Sequence, residues 1–265
     1  MKTVLLAVGI SHYANAEIPD LTVCHDDATK IAAQFRDMAQ DNFAELVLLN
    51  NQATKANIQS GVAWLVQNVA AGDLAVFYYS GHGASFDDDS GDEADQREEF
   101  LCPHDCGVSA GIGTFIRDDE IKHWLSVVSA KTERVLCIFD SCHSGSATMA
   151  AGTGAIAKEV PSDVVRRIIG DDRPPPTAPA SATSVPNQIL LAGCQDYEQS
   201  FILPGQENSL FTTALLQGLA DPSITTVQAL FEFTRAAVEE QIDIAGIQQH
   251  PNIVDGSSGE WVFRD

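Results

Sequence analysis

Two short apolar runs constrain this chain more than any other feature. Phe77-Tyr78-Tyr79 leads into Ser80-Gly81-His82-Gly83, and Cys137-Ile138-Phe139 leads into Asp140-Ser141-Cys142-His143-Ser144-Gly145. Each run has the length and unbroken apolar character of a strand buried on both faces, and such strands belong to parallel sheets covered by helices. Each ends abruptly in small residues that carry one reactive side chain. In an open parallel sheet the carboxyl ends of the strands form the ligand crevice, so His82 and Cys142 are expected to face each other there. A thiol becomes a nucleophile when a neighbouring imidazole takes its proton. The pattern points to a cysteine hydrolase with Cys142 as nucleophile and His82 as base. His143 is a rival base that ranks below His82, because adjacent residues at a strand end point in different directions.

The rest of the chain supplies the remainder of such a sheet. Strand signals at 3–9, 45–49, 74–80, 134–140 and 189–192 alternate with helical patterns. The helices are expected at 26–39, from a Thr54 cap to 70, at 118–128, at 209–219 and near 226–244. This order implies an α/β fold with a mainly parallel sheet and helices on both faces. A length of 265 residues suits one large domain of this kind. Two segments break the alternation. Residues 87–99 hold eight carboxylates and one Arg and read as a solvated loop. Residues 152–186 are rich in Pro, Ala, Ser, Thr and Gly and read as a flexible linker between 1–151 and 187–265, with one helical turn at 164–169.

Charge narrows the partners. A net charge of −22 disfavours nucleic acid and anionic membranes and is compatible with basic substrates. Met1-Lys2 leads straight into a strand-like run too short for a secretory signal, and no apolar stretch approaches the roughly 18 residues of a membrane span. The six cysteines follow no framework spacing, so reduced thiols and a cytoplasmic location are expected.

The Ser-Gly-His-Gly block at His82 and the Asp-Ser-Cys-His-Ser-Gly block at Cys142, 60 residues apart in that order, resemble the two catalytic motifs of caspase-clan cysteine proteases. Asp-Ser before the cysteine favours the metacaspase-like members over animal caspases, whose signature is Gln-Ala-Cys-x-Gly. The resemblance covers most of the chain. It implies a caspase-hemoglobinase three-layer sandwich, with 1–151 as large-subunit-like and 187–265 as small-subunit-like parts of one peptidase domain. It also implies a Cys142–His82 dyad and an oxyanion hole made by the backbone N–H groups of Gly83 and Cys142. The first specificity pocket would be formed by Asp140, Asp27, Cys24 and Ser80. Two carboxylates facing one pocket repel unless a cation enters, so Arg or Lys would be favoured and Asp rejected; Asp27 alternatively reads as a helix N-terminal acid.

The resemblance further implies calcium, with Asp118, Asp119 and Asp92 or Asp95 as ligands. However, the family's further Asp, seven residues after the nucleophile, falls on Met149, and calcium dependence stays open. Cys102-Pro103-His104-Asp105-Cys106 has a zinc-like look but lacks a second ligand pair. The expected function is cleavage of proteins bearing exposed basic residues, after Arg or Lys, from a zymogen. Activating cleavage is expected in the linker at Arg166, Arg167 or Arg173, by the enzyme itself or by an upstream protease. The competing readings are a caspase-like pseudo-enzyme acting as adaptor and an Asp-specific protease.

Overall fold

The computed structural model describes residues 1–87, 97–109, 111–142, 153–169, 185–195 and 198–264. In chain order it contains β1 (Thr3–Gly9), α1 (Cys24–Ala39), β2 (Phe43–Leu49), α2 (Lys55–Asn68), β3 (Leu74–Ser80), β4 (Gly83–Asp87), β5 (Arg97–Leu101), β6 (Ile116–Arg117), α3 (Asp118–Ser129) and β7 (Val135–Asp140). These are followed by β8 (Ile156–Ala157), α4 (Ser162–Ile169), β9 (Gln188–Ala192), β10 (Phe201–Ile202), α5 (Leu210–Ala220), α6 (Val227–Ala245) and β11 (Asn252–Asp255).

Six strands form one sheet in the order β11-β9-β7-β3-β1-β2. All neighbours pair in parallel except β11, which closes one edge antiparallel to β9. Period-two alternation decides which residues face which layer. From β1, Val4, Leu6 and Val8 pack with Ile58, Val62 and Leu65 of α2 and with Ile121 and Leu125 of α3. Leu5 and Ala7 point the other way, to Ile31 and Phe35 of α1, Phe211 and Leu215 of α5, and Leu230 of α6. Three layers result, as a caspase-hemoglobinase sandwich requires. Among the described residues no helix is long and apolar enough to cross a membrane.

Register sets the crevice. Gly9, Ser80 and Asp140 lie side by side at the carboxyl ends of β1, β3 and β7. The first turn of α1 lies against the same end because Gly9 has no side chain there. A Cβ on Gly9 would stand 2.4 Å from the Cys24 carbonyl oxygen and 2.7 Å from the Ala28 Cβ.

Two segments differ from their sequence reading. The acidic stretch 87–99 is flanked by strands, since β4 and β5 pair antiparallel and β6 joins them in a small second sheet; residues 88–96 lie outside the described residues. The stretch read as a flexible linker contains β8 and α4. Val164, Val165, Ile168 and Ile169 are buried in the same core cluster as β1 and α2. Four apolar residues at helical spacing on one face outweigh the surrounding Pro and Ser.

Gly9→Ala should lower unfolding free energy by about 1–3 kcal/mol or more, the cost of overpacking against backbone that cannot yield. Urea denaturation monitored by circular dichroism measures it, with near-wild-type stability as the contrary result.

Candidate active site

The chain past β3 makes a tight turn, and Gly81 permits it. A Cβ at Gly81 would meet the Tyr79 hydroxyl at 2.9 Å and the Tyr13 hydroxyl at 3.1 Å. Those two hydroxyls hold His82 by its backbone: its N–H donates to Tyr13 Oη at 2.7 Å, and Tyr79 Oη donates to its carbonyl at 2.8 Å. The His82 ring is buried, 1% exposed. Its Nε2 lies 2.8 Å from the Pro19 carbonyl oxygen, while Nδ1 is buried with no hydrogen-bond partner. A carbonyl only accepts, so Nε2 carries the proton and Nδ1 holds a free lone pair. Burial pushes the His82 pKa down to about 4, against the opposing effect of the Pro19 carbonyl that accepts from the ring, and the ring is neutral at physiological pH. The group that orients His82 is thus a backbone carbonyl, which no side-chain pattern displays.

Cys142 follows β7 and is fully buried. Its thiol is paired with one residue of the facing segment: Sγ accepts from the Ser200 N–H at 2.6 Å and lies 3.3 Å from the Ser200 carbonyl oxygen. The Cys194 thiol lies 3.5 Å from the Ser141 and Glu198 carbonyl oxygens, and the neighbouring Cys142 thiol together with burial raises the Cys194 pKa well above normal. Cys137, inside β7, is buried in the core with its pKa pushed up to about 12 by desolvation alone, which is the behaviour of an inert core thiol. His143 lies outside the described residues.

The carboxylates converge. Asp27, in the first turn of α1, and Asp140, at the end of β7, are both fully buried. Ser80 Oγ donates to Asp27 Oδ2 at 2.8 Å. Asn208 Nδ2 and the Ser209 N–H donate to Asp27 Oδ1 at 2.8 and 3.1 Å. Asp140 accepts from Ser200 Oγ at 2.7 Å, from Thr212 Oγ1 at 2.6 Å and from Ser209 Oγ. Cys24 is buried beside them, its pKa pushed up to about 12 by desolvation. All four residues expected in the first specificity pocket therefore meet.

The pocket holds a lysine that sequence reasoning passed over. Lys158 is fully buried, and its Nζ lies 2.9 Å from Asp140 Oδ2 and 3.3 Å from Asp27 Oδ2 and donates to Ser80 Oγ at 2.8 Å. Burial alone would lower its pKa, but the two carboxylates and Cys24 raise it well above normal. Asp140 stays below the usual carboxylate range: burial opposes this, but the Lys158 charge and the Ser209 and Thr212 hydroxyls outweigh it. Asp27 is raised, chiefly by burial, with the Asp140 charge adding to it. The same lysine's carbonyl oxygen accepts from the N–H groups of Gly83 at 3.0 Å and Cys142 at 3.3 Å. Its backbone lies between two walls. The Lys158 N–H donates to Ser200 O at 3.0 Å, the Val160 N–H donates to Gly83 O at 2.9 Å, and β8 pairs antiparallel with β10. A lysyl strand therefore lies in the crevice by strand addition.

Other expected residues fall elsewhere. Arg166 and Arg167 lie on the exposed side of α4; Arg167 pairs with Glu17 at 2.9 Å and with Asp163 at 2.6 Å, and neither residue enters the carboxylate pocket. Arg173 lies outside the described residues. Asp118 accepts from the Asp119 N–H and pairs with Lys122, and Glu120 pairs with Lys55 at 2.7 Å. Asp118 and Glu120 are thus engaged at the start of α3, and Asp92, Asp95 and Met149 lie outside the described residues. Among the described residues no three His, Cys, Asp or Glu side chains are grouped to hold a metal, and His104 Nδ1 donates to the His12 carbonyl at 2.7 Å. Asn208, Ser209 and Thr212 read in sequence only as the start of a helix; Ser209 does cap α5, its Oγ accepting from the Thr212 N–H, while also serving Asp140.

Residues 2–150 match the profile of the family described as metacaspase, peptidase C14 domain. Metacaspase-2 of Arabidopsis thaliana is 30% identical over 253 residues, covering 89% of this chain and 56% of its own. Metacaspase-1 of Pyricularia oryzae is 31% identical over 153 residues, covering 55% of this chain and 37% of its own. The chain thus spans roughly a third to a half of the length of the curated relatives it matches. Among solved structures, a structural-genomics protein of Geobacter sulfurreducens superposes with a TM-score of 0.73 at 25% identity, covering 98% of this chain and 95% of its own. Caspase-1 of Spodoptera frugiperda superposes with a TM-score of 0.57 at 12% identity, covering 99% and 91%, a likeness of fold.

The buried neutral imidazole makes stability depend on pH. The unfolded chain binds a proton on His82 below its ordinary pKa of about 6.5, and the folded chain only near 4. The contribution is fully present above about pH 6.5 and is lost as pH falls toward 4, up to ~3 kcal/mol. Urea midpoints of wild type and His82→Asn between pH 7 and 4.5 should converge as pH falls; parallel curves would contradict a buried neutral ring.

Proposed function

This chain belongs to the metacaspase family of cysteine peptidases, and on that premise we propose that it is an endopeptidase that cleaves proteins after Lys or Arg, with Cys142 as nucleophile and His82 as base. One observation carries the reading: a lysine side chain occupies the Asp27–Asp140 pocket while the carbonyl of that same lysine accepts from the Gly83 and Cys142 amides. A substrate's P1 residue must satisfy both requirements at once, and they are met 16 positions from the nucleophile in the same chain.

The chemistry follows from the side chains. His82 Nδ1, with its lone pair free, takes the Cys142 thiol proton. The thiolate attacks the carbonyl carbon of the P1 residue, and the tetrahedral oxyanion is held by the Gly83 and Cys142 N–H groups. The imidazolium then protonates the leaving amine, and water hydrolyses the thioester and restores the thiol. Asp27 and Asp140, which accept hydrogen bonds from Ser80, Ser200, Asn208, Ser209 and Thr212, receive the cationic side chain. An aspartyl side chain would bring a third negative charge into this pocket, which argues against Asp specificity. The occupied crevice supports a resting, zymogen-like state that must open before a protein substrate enters.

Fluorogenic peptides ending in Lys, Arg or Asp, assayed with and without calcium, test the activity. Cys142→Ala should abolish hydrolysis and His82→Ala should be nearly as severe, the two losses not adding because the groups act as a unit. Asp140→Ala should lower kcat/KM on basic peptides about ten- to a thousandfold, the worth of one or two charge-assisted hydrogen bonds. Turnover of the Asp peptide, or activity surviving in Cys142→Ala, contradicts the proposal; a chain that binds but never cleaves points to an adaptor.

A further inference from the structure

The connection between α6 and β11 sends one buried side chain to the segment that faces Cys142. Gln249 is fully excluded from water. Its Oε1 accepts from the Phe201 N–H at 2.9 Å, and its Nε2 donates to the Gly193 carbonyl at 2.9 Å and to Ser200 Oγ at 3.2 Å. One N–H and one carbonyl fix which way the amide is turned, because the reverse orientation would set donor against donor and acceptor against acceptor. An amide nitrogen only donates, so Ser200 Oγ accepts from it. The single hydrogen of the serine is thereby left for Asp140 Oδ1, 2.7 Å away.

Ser200 is where the nucleophile and the specificity pocket meet. Its N–H and carbonyl hold the Cys142 sulfur, the same carbonyl accepts from the Lys158 N–H at 3.0 Å, and its hydroxyl reaches the carboxylate. The chain on either side is secured as well. The Gly193 N–H donates to the Phe139 carbonyl at 2.8 Å, near the end of β7, and His250, beside Gln249, engages Glu198 through its N–H and its Nδ1, each at 2.6 Å. Gln249 itself lies outside residues 2–150, the part that matches the family profile.

We propose that Gln249 is a positioning residue of this site and acts through Ser200. It turns the Ser200 hydroxyl onto Asp140, so aiming that carboxylate at the cationic side chain of the substrate, and holds the Ser200 backbone beside Cys142. The proposal rests on the peptidase reading above and names what sets the geometry of its specificity pocket. Without the amide of Gln249 the Gly193 carbonyl loses its donor and competes with Asp140 for the serine hydrogen. A misaimed Asp140 penalises a cationic side chain more than a neutral one of equal length, because the carboxylate serves the charge.

The test compares the full chain as wild type, Gln249→Met, Ser200→Ala and the double variant on two fluorogenic peptides. One ends in Lys and the other in norleucine, which has a chain of similar length without the ammonium. Circular dichroism and urea midpoints report folding. Gln249→Met keeps the volume and removes the hydrogen bonds. It should lower kcat/KM on the Lys peptide about ten- to a hundredfold and reduce the preference for Lys over norleucine at least about fivefold. A merely structural role would slow both peptides alike. Ser200→Ala should reduce the preference by a similar factor, and in the double variant the two losses of preference should not add, to within about twofold, because both act at one hydroxyl. If Gln249→Met does not fold, Gln249→Glu replaces it with the same expectations, since it keeps the acceptor for the Phe201 N–H and loses the amide donor. The proposal is overturned by an unchanged preference in a folded Gln249 variant, by equal losses on both peptides, or by additive losses of preference in the double variant. Failure of both Gln249 variants to fold assigns the residue to the fold and overturns it too. A wild type that turns over neither peptide, or that does not prefer Lys, overturns the peptidase reading and this proposal with it.

Discussion

One buried ammonium between two buried carboxylates organises this molecule. Lys158, Asp27 and Asp140 are each fully excluded from water. Desolvating three charges costs several kcal/mol per ion, recovered only where geometry is good and the remaining lone pairs are satisfied. Here they are, by hydroxyls, an amide and a backbone N–H drawn from β3, the β9–α5 region and the start of α5. The triad joins the first turn of α1, the end of β7 and the crevice strand. Because one cation meets two anions, the pocket without Lys158 keeps an excess of negative charge facing a crevice, and a new basic side chain is what would balance it.

A second constraint concerns the resting chemistry. The Cys142 thiol is hydrogen-bonded to Ser200, and the His82 ring is neutral because burial disfavours its charge. A thiolate–imidazolium pair is a dipole that needs polar surroundings to form. The strand that carries Lys158 to the two carboxylates also runs past Gly83, next to the buried His82 ring.

Much of this was legible in the sequence because it is written in local patterns. Buried strands announce themselves as apolar runs, and Leu74–Ser80 coincides with its expected span. The helix begun at Thr54 coincides with its expected start, the threonine hydroxyl accepting from the Asn57 N–H. The motif blocks at His82 and Cys142 fall at strand ends for the same reason. What escaped notice depends on long-range placement. Pro19 orients His82 through a carbonyl that every residue type possesses. Ser209 looks like a helix cap and is one, while its second bond to Asp140 spans 69 positions. Composition marked 152–186 as a flexible linker because it averages over the stretch; it passed over the one lysine, and the helical turn expected at 164–169 is the buried helix α4. Arg166 and Arg167 drew attention as adjacent cations, yet helical backbone is a poor fit to a crevice that takes extended strands.

The sheet is built across this crossover: β7 precedes the crevice strand, β9 follows it, and the two lie hydrogen-bonded in parallel at the centre of the molecule. While the chain is continuous, folding is unimolecular and the link between β7 and β9 costs only loop-closure entropy, which grows slowly with length. A chain severed anywhere between them keeps every native contact but loses that link, and refolding becomes an encounter between two molecules. Its melting temperature would then depend on concentration, as for an obligate dimer, and dilution after unfolding would leave two orphaned halves of one sheet. For such an architecture only the continuous chain refolds as a single molecule.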